Sequence, residues 1–210
     1  MPERATVDGR EVLAFRVDLR SARLRIIDVA MGTDLGAVLA RTGASLAVNG
    51  GFFSADARPE GLVVSEGREI SAKSLALGGG VLTVARGRGE LFATEDYAAP
   101  DGVDFAMQCR PRLVVGGVQH VKKDDGREAE RTALCLRDSA TLEIIVTLGA
   151  SPGRGPTLSA WSRLLATRGC TGALNLDGGP STGVAWREGG GVRALAPKAG
   201  IRHAIVVSTE

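Results

Sequence analysis

The chain has 210 residues, 44% of them apolar and 24% charged, and its 26 basic and 24 acidic side chains leave a net charge of +2. These proportions fit a packed globular chain and exclude a disordered tail or a coiled coil. The charges alternate, as in Lys122-Lys123-Asp124-Asp125, so no field is set up for nucleic acid or an anionic membrane surface. The 29 glycines, about 14% of the chain against a usual ~7%, point to many turns and close backbone approaches. No apolar run nears the ~18 residues of a membrane span. Met1-Pro2-Glu3-Arg4-Ala5 has no apolar signal core, which reads as a cytosolic chain or an exported one with its signal trimmed. At roughly 100–200 residues per domain, one domain over residues 1–210 is expected.

In chain order, Leu13, Phe15, Val17 and Leu19 alternate with small or polar residues, and Leu24 to Val29 follows after a polar turn, predicting a hairpin. A first helix is predicted after Thr33-Asp34, with Leu35, Val38 and Leu39 as its apolar stripe and Gly43 as its stop. Short apolar runs then predict strands at Leu46–Val48, Gly61–Val64, Val81–Ala85, Val103–Met107, Leu113–Val115, Thr132–Leu136 and Leu142–Leu148. Asp125-Gly126 reads as a hairpin tip between charged arms. A second helix opens at Pro156-Thr157, carries Leu158, Trp161, Leu164 and Leu165 on one stripe and closes at Gly169. Strands at Ala173–Leu176, Val184–Trp186 and Ile201–Val207 complete the pattern, and Thr141–Leu148, the second helix and Gly172–Leu176 form a βαβ-like unit. The expected class is α+β: a single strand-rich domain with mixed β-sheets and about two main helices.

Cys109, Cys135 and Cys170 are odd in number and lack a C-x-x-C spacing, which argues against a zinc knuckle and a disulfide-built scaffold. Cys135 reads as a small buried hydrophobe. His120 and His203, each followed by an apolar residue, read as strand or core histidines rather than ligands.

Two segments carry chemistry. In Val48-Asn49-Gly50-Gly51-Phe52-Phe53 a short strand runs into an amide and two glycines, which could orient a hydroxyl or a phosphate oxygen beside closely approaching backbone. In Asn175-Leu176-Asp177-Gly178-Gly179-Pro180-Ser181-Thr182, Asn175 and Asp177 are two apart on a strand and leave one face together. Asp177 at the mouth of the Gly178-Gly179 turn could act as a base or metal ligand, with Ser181 and Thr182 adding hydroxyls. Each segment alone is also an ordinary β-turn. A Ser181, His203 and Asp177 triad is disfavoured, since no G-x-S-x-G elbow exists and Asp177 lies too close in sequence to Ser181.

Asn49-Gly50-Gly51-Phe52-Phe53, Pro111-Arg112-Leu113-Val114 with Gly117, Arg131-Thr132-Ala133, the Leu158–Leu165 helix and Asn175-Leu176-Asp177-Gly178-Gly179-x-Ser181 occur in the order of the phosphodiester glycosidase family. The resemblance runs from about Val12 to Val207, with Asn-Leu-Asp-Gly-Gly as its most specific motif. It implies hydrolysis between a sugar anomeric carbon and a phosphodiester oxygen. A phosphate monoester leaves as an anion and needs positive charge more than a strong acid. Arg131, and with it Arg112, would grip the phosphate. Asp177 would be the base or nucleophile and Glu60 the second carboxylate. Asn49, Gly50, Gly51, Asn175, Gly178, Gly179, Ser181 and Thr182 would line the substrate. Pro180 stands where the family usually has a third glycine, Arg110 and Cys135 where glycines are common, and His203 where an amide side chain is frequent. No cofactor is expected: Asp177, Asn49 and Asn175 offer oxygens that suit Ca²⁺ or Mg²⁺, but carboxylates near the motifs are few. The expected partner is a small-molecule or glycan sugar phosphodiester. The rival reading is a non-catalytic module that binds a sugar phosphate or nucleotide.

Overall fold

A computed structural model describes residues 1–7, 9–148 and 155–209. In chain order the elements are β1 (Glu3–Val7), β2 (Arg10–Asp18), β3 (Ala22–Asp28), α1 (Leu35–Thr42), β4 (Leu46–Asn49), β5 (Val63–Ser65), β6 (Arg68–Ser71), β7 (Gly80–Ala85) and β8 (Arg88–Ala93). They continue with β9 (Val103–Cys109), β10 (Arg112–Val115), β11 (Val118–Gln119), β12 (Arg131–Leu136), β13 (Thr141–Leu148), α2 (Leu158–Thr167), β14 (Gly172–Asn175), β15 (Val184–Glu188), β16 (Gly191–Leu195) and β17 (His203–Thr209).

The strands form three sheets, ordered β1-β2-β13-β12-β14-β10-β11, β16-β15-β4-β17-β3 and β6-β5-β9-β7-β8. The period-2 pattern decides which face each side chain takes. Along β2, Leu13, Phe15 and Val17 enter a central core shared by all three sheets, while Val12 and Ala14 turn outward toward α2. The outer face of the seven-stranded sheet is closed by Trp161 and Leu165 of α2. Leu35, Val38 and Leu39 of α1 close the outer face of the second sheet over Ala47, Ala185 and Ala204. Both helices begin and end where the sequence places them. The Asp34 carboxylate accepts the Ala37 N–H, Thr157 caps α2 through the Ala160 N–H, and Gly43 ends α1 at φ 70°.

The strand-rich α+β domain with two main helices is as expected, but the expected mixed sheets are corrected. Every strand pairing among the described residues is antiparallel. The βαβ-like unit does exist, since β13 and β14 run parallel to each other. The helical crossover spans one strand, and β12 lies antiparallel between them. Asp125-Gly126 is likewise no hairpin tip: residues 120–130 form an irregular strap. Asp124 accepts the Gly126 N–H and the Ser159 N–H, while the Lys122 carbonyl accepts the Ser159 hydroxyl and the Ser162 hydroxyl accepts the Val121 N–H. The strap is thereby tied to the start of α2 instead of pairing with itself.

Cys135 is also more than a buried hydrophobe. It is bonded to Cys170, which joins β12 to the end of the helical crossover, and Cys109 is the free, buried thiol. A 35-residue separation hides this pair from spacing rules, because only the crossover of α2 returns Cys170 to β12. Among the described residues no helix is long and apolar enough to cross a membrane.

Candidate functional site

The ends of β12 and β14 and the start of β10 meet at one edge of the seven-stranded sheet, under the first turn of α2 and the strap. There they line a cavity of about 580 Å³ that holds Arg110, Arg131, Asn175 and Asp177 together. Strand alternation selects these side chains. Ala133 and Ala173 face α2, so Arg131 and Asn175, two residues from each, face the same side. Leu134 and Leu174 fill the central core instead.

Asp177 is the acid at the strand ends of this cavity, and the strap adds Asp124 and Asp125 to its lining. Asp177 Oδ1 accepts the N–H of Gly178, and the Ser181 hydroxyl also bonds the carboxylate, both of which favour the charged form. Burial outweighs them, and the nearby Glu60 charge adds to it, so the carboxyl is held above its ordinary range. Glu60 itself is exposed, on a loop that ends with its N–H on the Phe52 carbonyl. The structure therefore brings Glu60 within electrostatic reach of Asp177.

Asn49 is fully buried, and its amide is spent on the protein. Its Nδ2 donates to the Asp177 carbonyl at 2.7 Å and its Oδ1 accepts from Thr132 Oγ1 and the Gly183 N–H. It positions the Asp177 backbone and has no donor left over for a ligand. The glycine turns are equally committed. The Gly50 N–H donates to the His203 carbonyl, the Gly51 N–H to His203 Nε2 and the Gly179 N–H to the Glu130 carbonyl. A Cβ on Gly50 would lie 2.3 Å from the His203 ring, so this glycine is required by close packing. Gly179, at φ 59°, starts the short 3-10 turn that ends at Ser181, and Pro180 takes the second place of that turn. Thr182 is buried, and its hydroxyl has no hydrogen-bond partner among the described residues.

Asn175 differs from Asn49. Its Nδ2 donates to the Arg110 and Leu176 carbonyls, both of which only accept, so the amide oxygen must be the atom left over. That Oδ1 has no partner among the described residues. Asn175 thus belongs to the cavity wall with a buried amide oxygen that has no partner among the described residues.

The two expected arginines separate. Arg131 lines the cavity, with Nε donating to the Pro156 carbonyl and Nη2 to the Arg127 carbonyl, which fixes the guanidinium and leaves Nη1 without a partner among the described residues. Burial and the neighbouring Arg127 charge draw its pKa down from an ordinarily very high value, and it stays a cation. Arg112 is corrected. It pairs with Leu174, so its side chain takes the core-facing side, packing where a Cβ on Gly80 would meet its Cγ at 2.6 Å. Its place in the cavity is taken by Arg110, with Lys123 and Arg127 contributed by the strap. The sequence signalled Arg110 only as an arginine where a glycine is common. Nothing local marked the strap as a cavity wall, because its position depends on the tie to α2.

His203 is no ligand but a buried core histidine. Desolvation, with the Arg202 charge adding, lowers its pKa to about 4, so the ring is neutral and Nε2 accepts from Gly51. Among the described residues no group of three His, Cys, Asp or Glu side chains gathers as a metal site.

Fold and cavity define a strand-rich α+β protein with a buried acid set among arginines at the strand ends. The family model for phosphodiester glycosidases matches residues 42–207, and the chain belongs to the phosphodiester glycosidase family. Similar solved structures share the fold at low identity. A protein from Synechocystis is 15% identical with a TM-score of 0.78, covering the whole of this chain, which in turn spans 61% of that one. The zebrafish N-acetylglucosamine-1-phosphodiester alpha-N-acetylglucosaminidase catalytic domain, auto-inhibited by its pro-peptide, is 16% identical with a TM-score of 0.77, over 100% of this chain and 82% of that one. A Burkholderia pseudomallei protein is 15% identical with a TM-score of 0.65, over 95% of this chain and 74% of its own. No curated protein sequence matches.

Proposed function

We propose that this chain hydrolyses the bond between a sugar anomeric carbon and a phosphodiester oxygen, with Asp177 supplying the base or the nucleophile and Arg131 meeting the phosphate. The observation that carries this reading is the placement of the buried Asp177 carboxyl, its proton affinity raised by that burial, in one cavity with the anchored Arg131 guanidinium. The substrate is a small-molecule or glycan phosphodiester. In the attack, the anomeric C–O bond breaks and its electron pair goes to the phosphate oxygen. Water supplies the sugar hydroxyl and its proton passes to the carboxylate, at once or after a covalent sugar–Asp177 stage. The leaving phosphate monoester departs as an anion, which suits a site whose polar groups include cations but no preformed strong acid.

The remaining groups take consistent parts. Asn175 lines the substrate, Ser181 holds the Asp177 carboxylate, and Glu60 raises that carboxylate's proton affinity by its charge. Gly50, Gly51, Gly178, Gly179 and Asn49 shape the turn rather than touch the phosphate, and no cofactor enters the scheme. Hydrolysis of a sugar phosphodiester in ¹⁸O-labelled water tests the bond that breaks. Label is expected in the released sugar; label in the phosphate would mean attack at phosphorus and would overturn the reading.

A further inference from the structure

We infer that Arg110 and Lys123 form a second anion subsite beside Asp177, selecting substrates whose leaving group carries an anion of its own, a diphosphate linkage in particular. The inference rests on the proposed function for the position of the sugar, but the subsite is argued from the cavity.

Neither glycine turn provides a backbone cradle, since the Gly50, Gly51, Gly178 and Gly179 N–H groups all have protein acceptors. At the start of α2 the Ser159 and Ala160 N–H groups are likewise taken, by Asp124 and Thr157. These N–H groups are therefore not open to an anion, and the charged donors of the cavity are its side chains. Arg131, with one nitrogen lacking a partner among the described residues, accounts for one phosphoryl group. Arg110 and Lys123 line the same cavity, and among the described residues neither side chain has a hydrogen bond or an ion pair. Asp124 and Asp125 line the cavity too, but their hydrogen bonds go to backbone N–H groups, of Gly126 and Ser159 and of Arg127, rather than to Arg110 or Lys123. Arg131 enters from β12 and Arg110 from the turn before β10, on opposite flanks of β14. Two strand spacings put their backbones about 10 Å apart, room for two phosphoryl groups in succession. A simple phosphodiester brings one charge, for Arg131, whereas a diphosphate brings a second that Arg110 and Lys123 are placed to meet.

The test compares binding of inorganic pyrophosphate and inorganic phosphate, by calorimetry, to wild type, Arg110→Gln, Lys123→Gln and the double variant. Arg88→Gln, on the distant edge strand β8, serves as the control. Wild type is expected to prefer pyrophosphate by about tenfold or more, with the double variant losing most of that preference and Arg88→Gln keeping it. Turnover supplies a second readout: the ratio of kcat/KM for a nucleoside-diphosphate sugar to that for a phosphodiester with an uncharged leaving group falls in the double variant. Equal affinities in wild type, or an unchanged preference in a folded double variant, would overturn the subsite; the single variants decide if the double variant fails to fold. A pyrophosphate preference that depends on Arg110 and Lys123, in a protein without turnover, would uphold the subsite and remove the hydrolytic reading alone.

Discussion

Asp177 is pulled in two directions by its neighbours. The Gly178 N–H and the Ser181 hydroxyl favour its carboxylate, while burial and the Glu60 charge favour the protonated form and prevail. A group that must be charged to act as base or nucleophile then gives an activity that rises with pH, with a midpoint above the ordinary carboxylate range. Because Glu60 contributes by charge from an exposed position, Glu60→Gln should move that acid limb of kcat/KM to lower pH. A limb that stays in place or moves up in Glu60→Gln would show that the two carboxyls are not coupled as described. The same residue scale separates Asn49 from Asn175. Both are buried amides at strand ends, yet Asn49 has protein partners on both its nitrogen and its oxygen, whereas the Asn175 oxygen has none among the described residues.

Among the elements, β12 carries the most, with Arg131 at its start, Thr132 on Asn49 and Cys135 in the disulfide to Cys170. Closing 35 residues, the disulfide removes unfolded-chain entropy worth about 4 kcal/mol on the loop-closure account. Cys135→Ala/Cys170→Ala should therefore lower the urea unfolding free energy by an amount of that order. A loss under about 1 kcal/mol would count against the pairing as a structural tie. What the sequence disclosed follows the same element logic. The two helices and the buried central strands were legible because one-sided burial leaves a periodic trace. The five strands that left none, β1, β6, β8, β11 and β16, are all sheet edges, where exposure relaxes the pattern. Asn175 and Asp177 were readable as a same-face pair by period 2. That Arg112 takes the other face was not legible, because its face depends on its pairing with Leu174, a long-range fact, and the strap's cations join the cavity only through its tie to α2.

Over the whole molecule, three sheets share one core, and the Asp177 turn is seated where the first two meet, through Asn49, Thr132 and His203. That seating has a pH dependence. His203 is held neutral in the fold, with a pKa lowered from 6.5 to about 4, so the unfolded chain binds the proton first as pH falls. Its contribution is complete above about pH 6.5 and is lost on acidification toward pH 4, amounting to about 3 kcal/mol. Asp177, raised in the fold, acts with the opposite sign: the native state gains stability as pH falls through its window. Unfolding free energies between pH 7 and 4.5 should accordingly fall less in His203→Gln, which offers an acceptor to Gly51 without titrating, than in wild type. Parallel curves for the two proteins would contradict the assignment.

The measurement that bears most directly on the account is sugar release from a sugar-1-phosphodiester by wild type and Asp177→Asn side by side, with matched unfolding curves to confirm that both are folded. Turnover in wild type that drops about a thousandfold in the variant is the predicted result. Turnover that survives the substitution, or a folded wild type that releases no sugar from any phosphodiester offered, would contradict it.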